Sequence, residues 1–123
     1  MKLLENKVAI VTGGSRGIGE GIVMKFAGQG CDVAFTYVSD RSAELAKGIE
    51  EKCSALGVKV KGYKSNAGEM TDCEALVKSV IEDFEKIDIL VNNAGISKDN
   101  LLMRMTEEQW DDVMAINLKS VFN

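Results

Sequence analysis

Residues 12–19 have the sequence Thr-Gly-Gly-Ser-Arg-Gly-Ile-Gly, and they stand directly after the apolar run Val8–Val11. Apolar residues then recur at helical spacing, at Ile18, Ile22 and Phe26. This pattern predicts a strand that enters a helix through a glycine-rich turn. Such a turn exposes backbone N–H groups at the positive end of the helix dipole, where a phosphate group can bind. Glycine suits the turn because a β-carbon would obstruct both the turn and the close approach of a ligand.

Two further segments strengthen this interpretation, since a glycine cluster alone is also typical of an ordinary turn. A second predicted strand, 32–37, ends about 20 residues after the turn, where a dinucleotide-binding βαβ unit contacts the adenosine ribose. The segment 92–95, Asn-Asn-Ala-Gly, directly follows another predicted strand at 87–91. The sequence therefore predicts a dinucleotide phosphate site near its beginning.

The composition narrows the class of protein. The chain has 123 residues, 46% of them hydrophobic, and a formal net charge of -4. This length predicts a single domain, and the negative charge argues against nucleic acid or an anionic membrane as the main partner. The sequence shows neither a membrane span nor a secretory apolar core, which predicts a cytoplasmic protein.

Histidine and cysteine usage limits the possible chemistry. The sequence has no histidine and three cysteines, Cys31, Cys53 and Cys73. The cysteines form no C-x-x-C pair, so neither a disulfide framework nor a zinc site is predicted, and no metal is expected. A histidine general base is excluded. Any catalysis must use other side chains.

Apolar patterning alternates between strand and helix along the chain. The predicted strands cover residues 8–12, 32–37, 58–63 and 87–92, and the predicted helices cover 17–29, 41–56 and 72–86, with another helix from about 107 onward. Strands that alternate with helices form a parallel sheet with right-handed crossovers.

The composition of the third and fourth strands predicts their places in this sheet. Residues 58–61 alternate valine with lysine, which is typical of an edge strand. Residues 87–91 are apolar except for Asp88, which is typical of a central strand. We therefore expect a doubly wound, Rossmann-type α/β fold with strand order 3-2-1-4 and further strands beyond the fourth.

Helix ends are also marked in the sequence. Residues 71–74, Thr-Asp-Cys-Glu, fit the capping box that begins a helix. Gly30 and Gly57 stand where a helix commonly ends. The last helical pattern, 110–121, reaches Asn123 without a cap or a turn. We interpret residues 1–123 as one dinucleotide-binding domain that is truncated at its C-terminus.

Three motifs together resemble those of the short-chain dehydrogenase/reductase family: Thr-Gly-x-x-x-Gly-x-Gly at 12–19, Asn-Asn-Ala-Gly at 92–95, and Asn117 within 116–118. The likeness covers the whole chain and corresponds to the N-terminal half of a family member. Residues 88–96 and 99–105 are similar to the bacterial members that reduce a 3-oxoacyl thioester on acyl carrier protein, in fatty acid biosynthesis.

The resemblance implies which residues contact a nicotinamide dinucleotide. It places Asn66 and Ala67 beside the adenine, and Asn93, Ala94 and Gly95 beside the ribose and nicotinamide. The residues that it places around the cofactor phosphates are Gly13, Ser15, Arg16, Gly17, Ile18 and Gly19.

The end of the second strand bears on the choice between NAD and NADP. A carboxylate there accepts hydrogen bonds from the ribose hydroxyls of NAD and repels the 2′-phosphate of NADP, and this chain has Tyr37 instead. The guanidinium of Arg16 can pair with the 2′-phosphate, with Arg41 as a weaker second candidate. We therefore expect NADP(H), although Asp40 lies close enough in sequence to keep NAD open.

The resemblance also assigns a catalytic role. It implies that Asn117 holds a water in a proton relay. The family's Tyr-x-x-x-Lys motif is absent, since neither Tyr37 nor Tyr63 has a lysine four residues later. The family's catalytic serine also has no match here. We therefore expect an NADPH-dependent reductase as the parent enzyme, and no activity from this chain by itself.

Two alternatives stay open. The first is another member of the family, acting on a small ketone, alcohol or sugar. The second, from a different class, is a noncatalytic nucleotide-binding or interaction fragment. In either case we expect self-association or pairing with a C-terminal half, because an apolar fourth strand without a neighbour recruits other chains.

Overall fold

Four strands and three helices alternate along the residues described by the computed structural model, which are 3–15, 17–66, 69–91 and 93. In chain order they are β1 (Val8–Val11), α1 (Gly17–Gly28), β2 (Asp32–Tyr37), α2 (Ser42–Ser54), β3 (Val60–Lys64), α3 (Met70–Phe84) and β4 (Ile89–Val91). This order confirms the predicted alternation. The helix predicted from about 107 lies outside the described residues.

All strand pairs are parallel, and the strand order is β3-β2-β1-β4. The predicted order and the edge position of β3 are therefore confirmed. In the described part of the sheet, β4 pairs with β1 alone, with Ile10 opposite Leu90. The further strands predicted beyond β4 lie outside the described residues.

The apolar core lies on both faces of the sheet. Val8 and Ile10 of β1 pack with α3, whereas Ala9 and Val11 pack with α1 and α2. All four side chains are buried, which explains why β1 is apolar at every position and not at alternate ones. The three cysteines are buried in the same two layers.

Two of the predicted helix boundaries have different outcomes. Gly30 ends α1 with a φ of 88°, the N–H of Gly30 donates to Ala27 O at 3.1 Å, and that of Cys31 donates to Phe26 O at 3.1 Å. This Schellman arrangement confirms the predicted cap. The predicted capping box at 71–74 is wrong, because α3 already begins at Met70.

A local turn explains the early start of α3. The N–H of Glu69 donates to Asn66 O at 3.0 Å, and the Asp72 carboxylate accepts a hydrogen bond from the Asn66 N–H at 2.9 Å. Asp72, which lies inside the segment that fits a capping box, therefore fastens the end of β3 to the first turn of α3.

Asp88 fastens the amino-terminal ends of β1 and β4. Its Oδ2 atom accepts a hydrogen bond from the Val8 N–H at 2.9 Å and lies 3.0 Å from Lys86 Nζ. The Asp88 N–H in turn donates to Val8 O at 2.8 Å. The hydrogen bond from Val8 and the charge of Lys86 lower the pKa of Asp88 below its ordinary value of 3.8.

Replacing Asp88 with asparagine is expected to lower the free energy of unfolding near neutral pH by about 1–2 kcal/mol, since a charged acceptor of the Val8 N–H is lost. Because the pKa of Asp88 is lower in the folded state, its stabilisation is present above its ordinary value of 3.8 and disappears as the pH falls through the folded pKa. Urea unfolding across that range checks this. The wild type and Asp88→Asn should converge in acid, whereas Asp40→Asn, with its exposed carboxylate, should differ little from the wild type throughout. A gap that persists at the acid end contradicts the assignment.

Candidate cofactor-binding site

The glycine-rich turn joins β1 to α1 at the carboxyl edge of the sheet. Gly13 has a φ of 68° and Gly17 a φ of 61°, both in the left-handed region that favours glycine. Between them, Ser15 is buried. The turn therefore requires glycine at 13 and 17 for its backbone conformation alone.

Two neighbouring segments hold this turn from opposite sides. On the β2 side, the N–H of Gly13 donates to Thr36 Oγ1 at 2.9 Å, and the N–H of Gly14 donates to Thr36 O at 3.0 Å. On the β4 side, the N–H of Asn93 donates to Thr12 Oγ1 at 2.9 Å, and its Nδ2 atom donates to Gly13 O at 3.3 Å. The Gly13 peptide is thus bonded at both its N–H and its carbonyl group.

Close packing at two more glycines brings α1 and β2 against the turn. A β-carbon at position 19 would fall far inside contact distance of Gly13 O and 2.5 Å from Asn93 Nδ2. A β-carbon at position 14 would lie 2.6 Å from Phe35 Cβ. The start of α1 therefore rests directly on the backbone of the turn, in an arrangement that a side chain would block.

The carboxyl ends of β2 and β3 lie side by side next to the turn. Tyr37 is paired in register with Lys64, and the N–H of Ser65 donates to Tyr37 O at 2.9 Å. Lys64 Nζ lies 2.8 Å from Asp40 Oδ1. This ion pair lowers the pKa of Asp40 and raises that of Lys64. Lys64 was not singled out from the sequence, because only the strand register brings it to Tyr37.

The structure places several of the predicted site residues along this edge. Gly13, Gly19 and Asn93 come together, and Ile18 is 78% exposed at the start of α1. Asn66 is exposed directly after the end of β3. The predicted residues that lie outside the described residues are Arg16, Ala67, Ala94, Gly95 and Asn117.

This arrangement fits the diphosphate of a dinucleotide. Apart from its chain neighbours and the backbone of α1, no described residue has an atom within 4 Å of the position that a β-carbon of Gly17 would take, so this side of the turn is open. The first backbone N–H groups of a helix have no acceptor within it, so the start of α1 favours an anion. Thr36, which sequence reasoning missed, holds the turn from the β2 side through its hydrogen bonds with Gly13 and Gly14. No local sequence signal could have identified it, since its contact depends on the pairing of β1 with β2.

The described residues contain neither a cluster of metal-binding side chains nor a membrane-spanning helix. No group of three or more cysteine, aspartate or glutamate side chains within 3–15, 17–66, 69–91 and 93 is placed to hold a metal ion. No helix in these same ranges is long and apolar enough to span a membrane.

The sequence and the fold together define the class of protein. The profile of the short chain dehydrogenase family matches residues 7–123, and the chain belongs to this family. One curated relative, the 3-oxoacyl-[acyl-carrier-protein] reductase FabG of Staphylococcus epidermidis, is 46% identical over 118 residues, which are 96% of this chain and 48% of the relative. The chain spans about half the length of the curated relatives that it matches.

Two solved structures share the fold. A blue fluorescent protein from a metagenomic library, in complex with NADPH, superposes with a TM-score of 0.74 at 37% identity, over 97% of this chain and 48% of that protein. A 7α-hydroxysteroid dehydrogenase, complexed with NADH and 7-oxo glycochenodeoxycholic acid, superposes with a TM-score of 0.67 at 30% identity, over 72% of this chain and 34% of that protein. The shared fold is thus compatible with either form of the nicotinamide cofactor.

Proposed function

We propose that this chain is the cofactor-binding part of an NADPH-dependent 3-oxoacyl-acyl-carrier-protein reductase. The observation that carries the proposal is the packing of Gly19 against Gly13 O and Asn93, which joins the turn, the start of α1 and the segment after β4 in one cradle. The curated relatives that share 43–46% of their aligned residues with the chain have this activity in their names, which supports the substrate class.

The residues divide into three roles around the proposed cofactor. The turn from Gly13 to Gly19 binds the diphosphate through backbone N–H groups, and Asn66 lies where the adenine is expected. Asn93 supports the turn and borders the nicotinamide side. When bound, the cofactor supplies a hydride for the 3-keto carbon of the acyl thioester. Asn117 is proposed to hold a water that relays a proton.

The proton donor of the proposed reaction is not supplied by this chain. The sequence contains two tyrosines, Tyr37 at the end of β2 and Tyr63 in β3. Tyr63 donates its hydroxyl proton to Asp83 Oδ2 at 2.5 Å, and burial together with this carboxylate raises the pKa of Tyr63. Tyr63 is therefore a poor acid, and we propose that the chain alone binds cofactor without catalysing reduction.

The choice of NADP(H) over NAD(H) rests on the end of β2. Tyr37 offers no carboxylate to the ribose hydroxyls, and the nearest acid, Asp40, is paired with Lys64. A paired carboxylate repels a phosphate less than a free one, because the neighbouring ammonium offsets its charge.

Titration of the 123-residue chain with NADPH is expected to show saturable binding, seen as a change in nicotinamide fluorescence. The same sample mixed with an acetoacetyl thioester should oxidise no NADPH. Adding a separately produced C-terminal half of the S. epidermidis relative should restore oxidation. Absence of NADPH binding would contradict the proposed cofactor role, whereas turnover by the chain alone would contradict the proposed lack of a proton donor.

A second candidate is a reductase or dehydrogenase of another small ketone, alcohol or sugar, which the similarity to the 7α-hydroxysteroid dehydrogenase favours. The complemented enzyme distinguishes the two. Preference for the acetoacetyl thioester over a hydroxysteroid and a simple secondary alcohol supports the first candidate, and the reverse preference supports the second.

A further inference from the structure

Lys64 places a positive charge where the adenosine end of a dinucleotide is expected. It is the last residue of β3 and is paired in register with Tyr37, the last residue of β2. Its Nζ atom lies 2.8 Å from Asp40 Oδ1, in the connection between β2 and α2. The carboxyl end of the second strand is where doubly wound folds contact the adenosine ribose.

The ion pair between Lys64 and Asp40 contributes little to folding. The side chains are 55% and 90% exposed, respectively, and an exposed pair is weakened by water and salt. The other lysines of this region behave differently. Lys61 Nζ lies 2.8 Å from Asp83 Oδ2, and Lys59 Nζ donates to the Asp83 carbonyl oxygen, so both are fastened to the end of α3.

We propose that Lys64 is a specificity residue that binds the 2′-phosphate of NADP(H) and exchanges the Asp40 carboxylate for it. This inference rests on the proposed function. An ammonium group is a good phosphate ligand, and a phosphate carries more negative charge than a carboxylate. Because Asp40 is largely exposed, its carboxylate returns to water at little cost once it is released.

Because of this exchange, residues at the ends of two strands together determine the preference for NADP(H) over NAD(H). The end of β2 supplies Tyr37 in place of an acid, and the end of β3 supplies the cation. NAD(H) has no 2′-phosphate and leaves the pair between Lys64 and Asp40 in place. Lys64 therefore discriminates between the two cofactors without contributing to the affinity for NAD(H).

Replacing Lys64 with methionine is expected to weaken NADPH binding by about tenfold and to leave NADH binding unchanged, as measured by fluorescence titration of both cofactors. Replacing Asp40 with asparagine should strengthen NADPH binding a few-fold, because the competing carboxylate is removed. The matched control is Lys61→Met, which removes a lysine of similar exposure from the same strand and should leave the NADPH to NADH ratio unchanged. Circular dichroism verifies that each variant is folded.

The outcomes separate this inference from the proposed function. A wild-type chain that binds NADH as tightly as NADPH contradicts the proposed cofactor. A wild-type chain that prefers NADPH, with the same preference in Lys64→Met, overturns the role of Lys64 alone. Equal weakening of both cofactors in Lys64→Met also overturns it, because that result indicates a general effect on the site. Weaker NADPH binding in Asp40→Asn contradicts the exchange.

Discussion

Replacing Gly19 with alanine is expected to weaken NADPH binding by about a hundredfold, which corresponds to ~3 kcal/mol. The β-carbon of alanine would overlap the carbonyl oxygen of Gly13 and approach Asn93 Nδ2 to 2.5 Å. Gly13 belongs to the turn and Asn93 is hydrogen-bonded to it. Gly13 is bonded at both its N–H and its carbonyl oxygen, so it cannot move away without breaking a hydrogen bond. Titration of the variant with NADPH measures the loss.

Gly21 provides the matched control within the same helix. Apart from its chain neighbours and the backbone of α1, no described residue has an atom within 4 Å of the position that its β-carbon would take. Gly21→Ala should therefore keep the NADPH affinity of the wild type and raise the free energy of unfolding by about 0.5–1 kcal/mol, because alanine favours the helix more than glycine does. If Gly19→Ala binds NADPH as tightly as the wild type, the expectation is contradicted, and the turn can move to make room for a β-carbon.

The second large effect is expected in the core. Phe35→Ala should lower the free energy of unfolding by about 3–5 kcal/mol, a large part of the ~5–15 kcal/mol that stabilises a typical domain. Phe35 is fully buried, and its side chain lies between Gly14 of the turn and Gly62 of β3. Alanine leaves a cavity beneath the turn. Urea unfolding measures the loss of stability.

Val38 provides a control a few residues away. Its side chain is 60% exposed, so Val38→Ala should change the free energy of unfolding by no more than about 0.5 kcal/mol. A loss below about 1 kcal/mol in Phe35→Ala would mean that the surrounding side chains collapse into the cavity. In that case Phe35 would not be the support of the turn.

Local patterns in the sequence were sufficient to predict the strand order and the glycine that ends α1. The apolar run in β1 and the lysine alternation near β3 reflect burial, which acts on each strand separately. Gly30 has the left-handed backbone that its predicted place at a helix end indicated. These features depend on residues that are neighbours in the sequence, and therefore they can be predicted from the sequence pattern.

Contacts between distant residues could not be predicted in this way. The hydrogen bond from Gly13 to Thr36 spans 23 residues, and that from Asn93 to Thr12 spans 81. The predicted start of α3 is too late for a different reason, since the segment 71–74 fits a capping box while Asp72 accepts a hydrogen bond from the Asn66 N–H. The identity of a polar residue does not show whether its side chain caps a helix or makes a contact elsewhere in the fold.

The outer edge of β3 has a consequence for encounters with other chains. The N–H of Gly62 donates to Glu50 Oε1 of α2 at 2.8 Å, on the side of β3 that β2 does not occupy. An incoming strand would need that N–H group, and it would also meet the charged groups of Lys61 and Lys64. This edge is therefore a poor template for amyloid-like stacking.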